Sequence, residues 1–132
     1  MICISGKLAH RLQITVGGSP EAPIVFAGDG DTEVPGITVE ADNVVVEGFV
    51  SDGANSNGIW SSGSGVTIQD NTITHVRWTG DDMDGIGFFG DGSRILRNTV
   101  TDLEGTDIGD AHPDCIQTDL CDVQAGQFEC GD

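Results

Sequence analysis

At 132 residues the chain has room for one domain with its own core and not for two. Twenty glycines, few aromatics and no tyrosine point to many turns and short strands. The formal charge is −17, with Lys7 the only lysine beside Arg11, Arg77, Arg94 and Arg97. That balance excludes a nucleic-acid backbone and an anionic membrane as partners. The acidity has two readings. Carboxylates spread along the whole chain keep a protein soluble in high salt, as in halophilic proteins. A local cluster of them holds a hard cation.

In chain order, residues 1–18 read as an interrupted coil. Ser5, Lys7, His10 and Arg11 break the stretch Met1 to Leu12, so no signal peptide is visible there. No apolar run is long enough to span a bilayer. Gly28-Asp29-Gly30, like Gly90-Asp91-Gly92 further on, is turn chemistry rather than a phosphate cradle. Two motifs then recur. The first is Asn71-Thr72-Ile73-Thr74-His75-Val76, repeated 27 residues later as Asn98-Thr99-Val100-Thr101-Asp102-Leu103. Short apolar-alternating runs precede each copy, Val66-Thr67-Ile68 and Arg94-Ile95-Leu96, and a looser copy lies at 44–50. The second motif reads Gly36-Ile37, Asn57-Gly58-Ile59, Asp84-Gly85-Ile86 and Asp114-Cys115-Ile116, with isoleucines 22, 27 and 30 residues apart. The growth falls in the polar segment before each Gly-Ile pair. A solenoid takes insertions in this way, with strands stacked while one loop lengthens.

Runs of three to five β-branched, alternating residues exclude a helical repeat. Each coil is expected to give one strand to each of several parallel sheets, ~4.8 Å from its copies above and below. Ile59, Ile86 and Ile116 should share one internal column, Ile68 should stack on Ile95, and Ile73 on Val100. Asn71 and Asn98 should stack at a turn and bond along the ladder. Residues 23–118 carry the clear repeats; 119–132 read as an irregular tail of the same 1–132 domain. Solenoid ends need covering. The chain is therefore expected either to form a homo-oligomer or to be one piece of a longer protein. Cys121 and Cys130 can pair, and Cys115 fills a glycine slot of the repeat; spacings of six and nine residues do not resemble paired zinc motifs, and the even count of four fits an oxidising compartment.

The run Val66-Thr67-Ile68-Gln69-Asp70-Asn71-Thr72-Ile73, its copy at 95–100 and the Asp-Gly-Ile element resemble the pectate-lyase-like right-handed β-helix superfamily. The resemblance implies an all-β, right-handed parallel β-helix of about four to five coils. It covers roughly residues 23–118 and is far more specific for fold than for activity, since members include lyases, hydrolases, epimerases and adhesins. It also implies that sugar lies on the outer side of the Gly-Ile sheet and on the loops before it, in a protein acting outside the cell or at its surface. The outward residues there are Trp60, Gly87 and Gln117. Trp60 is a stacking platform for a pyranose or a packing residue under a loop; Gln117 is a hydrogen-bond donor to a hydroxyl.

Two loops in this region, 79–84 and 106–114, are acidic. Alignment of Ile86 with Ile116 puts Asp84 over Asp114 and Asp82 beside His112. With Asp110, these carboxylates form a candidate calcium site; the alternative for Asp84 and Asp114 is turn capping, as for Asn57 in the same column. By the resemblance, calcium would bridge a substrate uronate in a β-elimination. His112 is the candidate base, with a pKa suited to the task, and Arg77 the candidate carboxylate clamp. Arg77, His75 and Lys7 are alternative bases, since the superfamily often uses arginine or lysine. Asp81, Asp82 and Asp84 would serve a hydrolase instead. The expected function is thus calcium-assisted elimination on an acidic polysaccharide, and the competing one is a non-catalytic carbohydrate-binding or structural module of adhesin or tail-fibre type. A third, an acidic decoy of nucleic acid, rests on charge alone.

Overall fold

The structure, a computed structural model, describes residues 1–77, 84–104 and 114–118, and the backbone of 124–130. Two parallel sheets run the length of the solenoid, which makes about four turns. The first contains β1 (Ile2–Cys3), β3 (Ile24–Val34), β5 (Val44–Asp52), β7 (Thr67–Gln69) with β8 (Thr72–Arg77), β10 (Arg94–Glu104) and β12 (Gln124–Cys130). The second is built of short strands: β2 (Leu12–Ile14), β4 (Ile37–Val39), β6 (Ile59–Ser61), β9 (Ile86–Phe88) and β11 (Ile116–Gln117). The chain is the parallel β-helix expected from its repeats.

The internal columns match the sequence reading. Ile37, Ile59, Ile86 and Ile116 are successive partners in the short-strand sheet. Ile68 pairs with Ile95, and Ile73 with Val100. Except for the half-buried Ile116, all of these are fully buried. Each contributes roughly 1.5–3 kcal/mol by leaving water. The register explains the uneven repeat. Strands β5 and β8 pair with a 22-residue step as far as Asp52 and Thr74, whereas Ile59 and Ile86 pair with a step of 27. Five residues therefore enter between Thr74 and Ile86. Three more enter between Glu104 and Ile116, where the step becomes 30. Both insertions precede a short strand, as the repeat analysis requires.

Asn71 and Asn98 form the expected ladder inside the turn. Asn71 is 2% exposed and Asn98 1%. Asn71 Nδ2 donates to Asn98 Oδ1 at 3.1 Å and to the Val46 carbonyl at 3.0 Å, while its Oδ1 accepts the Phe49 amide. Asn98 Nδ2 donates to the Ile68 carbonyl at 2.8 Å.

Two features depart from the sequence reading. The segment read as an irregular tail contains β12, which pairs with β10 from Arg94 opposite Gln124 to Val100 opposite Cys130. No β-branched residue lies in 124–130, so intrinsic propensity hid a strand that ladder pairing imposes. Cys115 is engaged in a disulfide, whereas Cys3 is free and exposed; the sequence reading assigns Cys115 only to a glycine slot of the repeat and offers Cys121 and Cys130 as a pair.

The coils turn at stacked left-handed residues. Gly48, Asp70 and Arg97 occupy one such column, and Gly53, His75 and Asp102 another. Aspartate tolerates this conformation, but histidine and arginine do so less readily. In the first column the two charged residues hold each other: Arg97 Nε and Nη2 donate to the two carboxylate oxygens of Asp70 at 2.8 and 2.9 Å. These hydrogen bonds, more than the charge itself, hold the Asp70 carboxyl below its ordinary value near 3.8. A depressed folded-state pKa stabilises the fold above the ordinary carboxylate value and is lost as pH falls through the folded value. In acid titrations followed by circular dichroism, Asp70→Asn should therefore flatten the loss of stability below about pH 4 relative to wild type. An unchanged acid slope would remove the pair from the account of acid unfolding. The effect is small, because both side chains are about half exposed.

Candidate functional site

Segments that lead into the short strands meet in one cleft. Lys7, Leu8 and Ala9 come from the segment before β2; Glu33, Val34 and Pro35 from the end of β3 and the turn into β4; Asp52 and Gly53 from the end of β5; and Arg77 from the end of β8. Parallel stacking brings these four stretches, far apart in sequence, onto adjacent coils. The cleft encloses about 320 Å³. It crosses four coils, so its long direction follows the stacking axis.

Two of the five cationic side chains of this acidic protein line the cleft. Lys7 Nζ lies 3.2 Å from Glu33 Oε2, with the lysine side chain 81% exposed. An ion pair this exposed contributes little to folding, so a ligand carboxylate can exchange with Glu33 at low cost. Arg77 continues the ladder through its backbone: its amide donates to the Ala54 carbonyl at 2.7 Å. Its exposed side chain belongs to the cleft wall. Behind Asp52 stands His75, whose Nδ1 is 3.0 Å from Asp52 Oδ1 and whose Nε2 is 3.9 Å from Asp102 Oδ2. The left-handed backbone of His75 sets the imidazole between carboxylates of the coils below and above.

The outer face of the short-strand sheet lies next along the chain. Thr38, Trp60, Gly87 and Gln117 are successive register partners there. Trp60 is half-buried and packs at 46° to Phe89 with ring centroids 6.2 Å apart. A β-carbon at Gly87 would lie 3.5 Å from Trp60 Cδ1, an ordinary contact, and 3.0 Å from Asn57 Nδ2. Trp60 is thus packed against Phe89 and only half-buried. Gln117 is half-buried in the same column. Arg11 Nε donates to Thr38 Oγ1 at 2.6 Å and Nη2 to the Ile37 carbonyl at 3.0 Å. Arg11 therefore ties two coils together, and burial alone lowers its pKa.

The acidic column is a hydrogen-bonded ladder. Asn57 Oδ1 accepts the Asp84 amide at 2.7 Å, and Asp84 Oδ1 accepts the Asp114 amide at 3.0 Å. Asp84 is 1% exposed; Asp114 lies at the surface. The two residues are stacked one coil apart, as the alignment of Ile86 with Ile116 requires, and the contact runs from carboxylate to amide. Calcium needs six to eight oxygens in one shell. Among the described residues no group of three acidic, histidine or cysteine side chains is placed to hold an ion. The two described bonds are those of turn capping. His112, Asp82 and Asp110, with Asp81, lie outside the described residues.

The structure brings Lys7 and Arg77 to one cleft, with His75 behind it, and so unites three of the four candidate bases around a single wall. Glu33 and Asp52 were missed in sequence. Their signal was weak: each sits at the end of a strand, just before a segment that grows from coil to coil. No family model matches the chain, and no match is found among curated proteins or solved structures.

Proposed function

We propose that this protein is a carbohydrate-binding parallel β-helix of the pectate-lyase-like kind, which holds an extended acidic polysaccharide outside the cell or at its surface. The observation that carries the proposal is the cleft itself. It crosses four coils, as an extended polymer would, and it collects Lys7 and Arg77 in a chain with only five cations. Arginine grips a carboxylate through two parallel N–H bonds, and lysine serves as a point charge. Trp60 would stack on a sugar ring and Gln117 would bond a hydroxyl on the adjoining face.

Calorimetric titration with oligogalacturonate and with a neutral oligoglucan of equal length tests the reading. Wild type should bind the acidic oligomer and not the neutral one. Lys7→Gln with Arg77→Gln should weaken binding at least tenfold, since each charge-assisted hydrogen bond contributes roughly 1.5–3 kcal/mol. Equal affinity for the two oligomers, or no change in the double variant, would reject the cleft as the site.

One observation favours a catalytic version. Arg77 and Lys7 are the side-chain types that serve as base in the resembling superfamily, and both line the cleft. In β-elimination a base takes the C5 proton of a uronate, the electron pair left at C5 becomes the C4–C5 double bond, and the C4–O pair leaves on the glycosidic oxygen, which takes up a proton from solvent. His112 is the other candidate base, with Asp82, Asp84, Asp110 and Asp114 as proposed calcium ligands; no step is derived through the ion. Growth of ultraviolet absorbance from unsaturated uronate, with and without calcium, distinguishes catalysis from binding. A flat trace on polymers that do bind leaves the non-catalytic module.

A further inference from the structure

Arg11 is half-buried and, among the described residues, has no countercharge. Lys7 has Glu33 beside it, and Arg97 has Asp70. The partners of Arg11 are neutral: Nε donates to Thr38 Oγ1 at 2.6 Å and Nη2 to the Ile37 carbonyl at 3.0 Å. Burial is the sole cause that moves its pKa, and no carboxylate offsets it, although the chain carries 22 acidic residues. A desolvated charge costs stability unless an opposite charge meets it. Of the five N–H donors of a guanidinium, these two bonds use two and leave three without a partner among the described residues. The fold makes room for the group. A β-carbon at Gly36 would collide with Arg11 Nη1, and the φ of +109° there favours glycine.

Arg11 stands between the two surfaces described above. On one side, Gly36 directly follows Pro35, which lines the cleft with Gly53. On the other, Thr38 is the register partner of Trp60 on the outer face of the short-strand sheet, one strand spacing of ~4.8 Å away. We propose that Arg11 is a carboxylate-binding subsite that makes the cleft and the Trp60 face one continuous site. A sugar ring lies on Trp60 while its carboxylate is gripped by Arg11. A guanidinium offers a carboxylate two parallel N–H groups, a fit that an uncharged ester does not reproduce. The bonds to Thr38 and Ile37 hold the group in place before the ligand arrives, so little side-chain freedom is lost on binding. Partial burial strengthens the pairing. The sugar ring in this proposal rests on the carbohydrate reading; the carboxylate contact rests on Arg11 alone.

Nuclear magnetic resonance on isotope-labelled protein reads the Arg11 Nε–H directly, with the signal assigned by its loss in Arg11→Lys. At constant ionic strength, galacturonate should move that signal saturably, and its uncharged methyl ester should leave it in place. Acetate, a carboxylate without a ring, should move it with weaker affinity. Trp60→Ala should remove the difference between galacturonate and acetate. In calorimetry, Arg11→Gln should bind trigalacturonate at least tenfold more weakly than wild type. Arg11→Lys keeps the charge and the packed stem, and serves if the glutamine variant does not fold. It loses the two-pronged grip and should bind at least about threefold more weakly. An Arg11 signal that ignores galacturonate, or moves equally with the ester, would overturn the proposal. So would wild-type affinity for trigalacturonate in the Arg11 variants, or acetate binding as tight as that of galacturonate. A signal that follows galacturonate while Lys7→Gln with Arg77→Gln leaves oligomer affinity unchanged would keep the Arg11 subsite and remove the cleft.

Discussion

Replacing Asn71 by leucine is expected to cost about 2–4 kcal/mol of folding stability, although the two side chains are nearly equal in size. Asn71 is buried and serves three groups at once: it accepts the Phe49 amide and donates to the Val46 carbonyl and to Asn98 Oδ1. Leucine fills the space and leaves the Phe49 N–H without its partner in a dry interior, at roughly 1–3 kcal/mol, and removes the bond to Asn98 Oδ1, at about 1 kcal/mol; the Val46 carbonyl keeps its place in the ladder with β7. Native domains hold only about 5–15 kcal/mol in total, so the variant would lose much of its margin. Asn71→Asp should be no better, because a carboxylate there would face the Val46 carbonyl and Asn98 Oδ1 with no proton to donate. Urea unfolding gives the answer: a large drop in midpoint with an unchanged slope is the expected result. A leucine variant within about 0.5 kcal/mol of wild type would show that the ladder is not a source of stability.

The second large effect is expected at Gly90. A β-carbon there would lie 1.7 Å from the carbonyl oxygen of Gly63 on the neighbouring coil, and one at Gly63 would lie 1.8 Å from that of Ala41. Backbone, not a flexible side chain, occupies the space, so alanine can fit only if the coils part. Gly90→Ala should cost more than about 4 kcal/mol or prevent folding. Gly53 provides the contrast. It has φ of +78° and nothing within 4 Å of an added β-carbon. Gly53→Ala should cost only the left-handed penalty of about 1–2 kcal/mol. Thermal melts of the two variants separate close approach from backbone conformation. Equal losses would mean that coil spacing at Gly63 and Gly90 is not limiting.

The fold was legible because its strongest signals are periodic. Ile37, Ile59, Ile86 and Ile116 repeat beside a turn, and stacking each residue on its own copy needs no knowledge of distant contacts. The register therefore follows from the repeat, including the place where it lengthens. The corners were harder to read. Gly48, Asp70 and Arg97 share one conformation and one column but no chemistry, so no residue pattern announces them. Strand β12 was missed for a related reason: its residues do not prefer a strand, and the pairing with β10 decides. The candidate site was legible in part. Arg77, Trp60 and Gln117 could be placed because they sit next to repeat positions. Lys7, Glu33 and Asp52 come together only when coils of unequal length are stacked. Asp84 and Asp114 were aligned correctly, but whether an aspartate meets a cation or a backbone amide depends on a rotamer that sequence does not encode.

The site and the ladder both depend on one claim, that the coils are parallel and in register. Scalar couplings across hydrogen bonds, measured by nuclear magnetic resonance on isotope-labelled protein, test it directly. The account predicts couplings from the Ile37 amide to the Gly58 carbonyl, from Ile59 to Gly85 and from Ile86 to Cys115, the bonds that join successive coils at 2.9–3.0 Å. Couplings that instead join residues 66–76 to residues 94–103 in antiparallel order would contradict it.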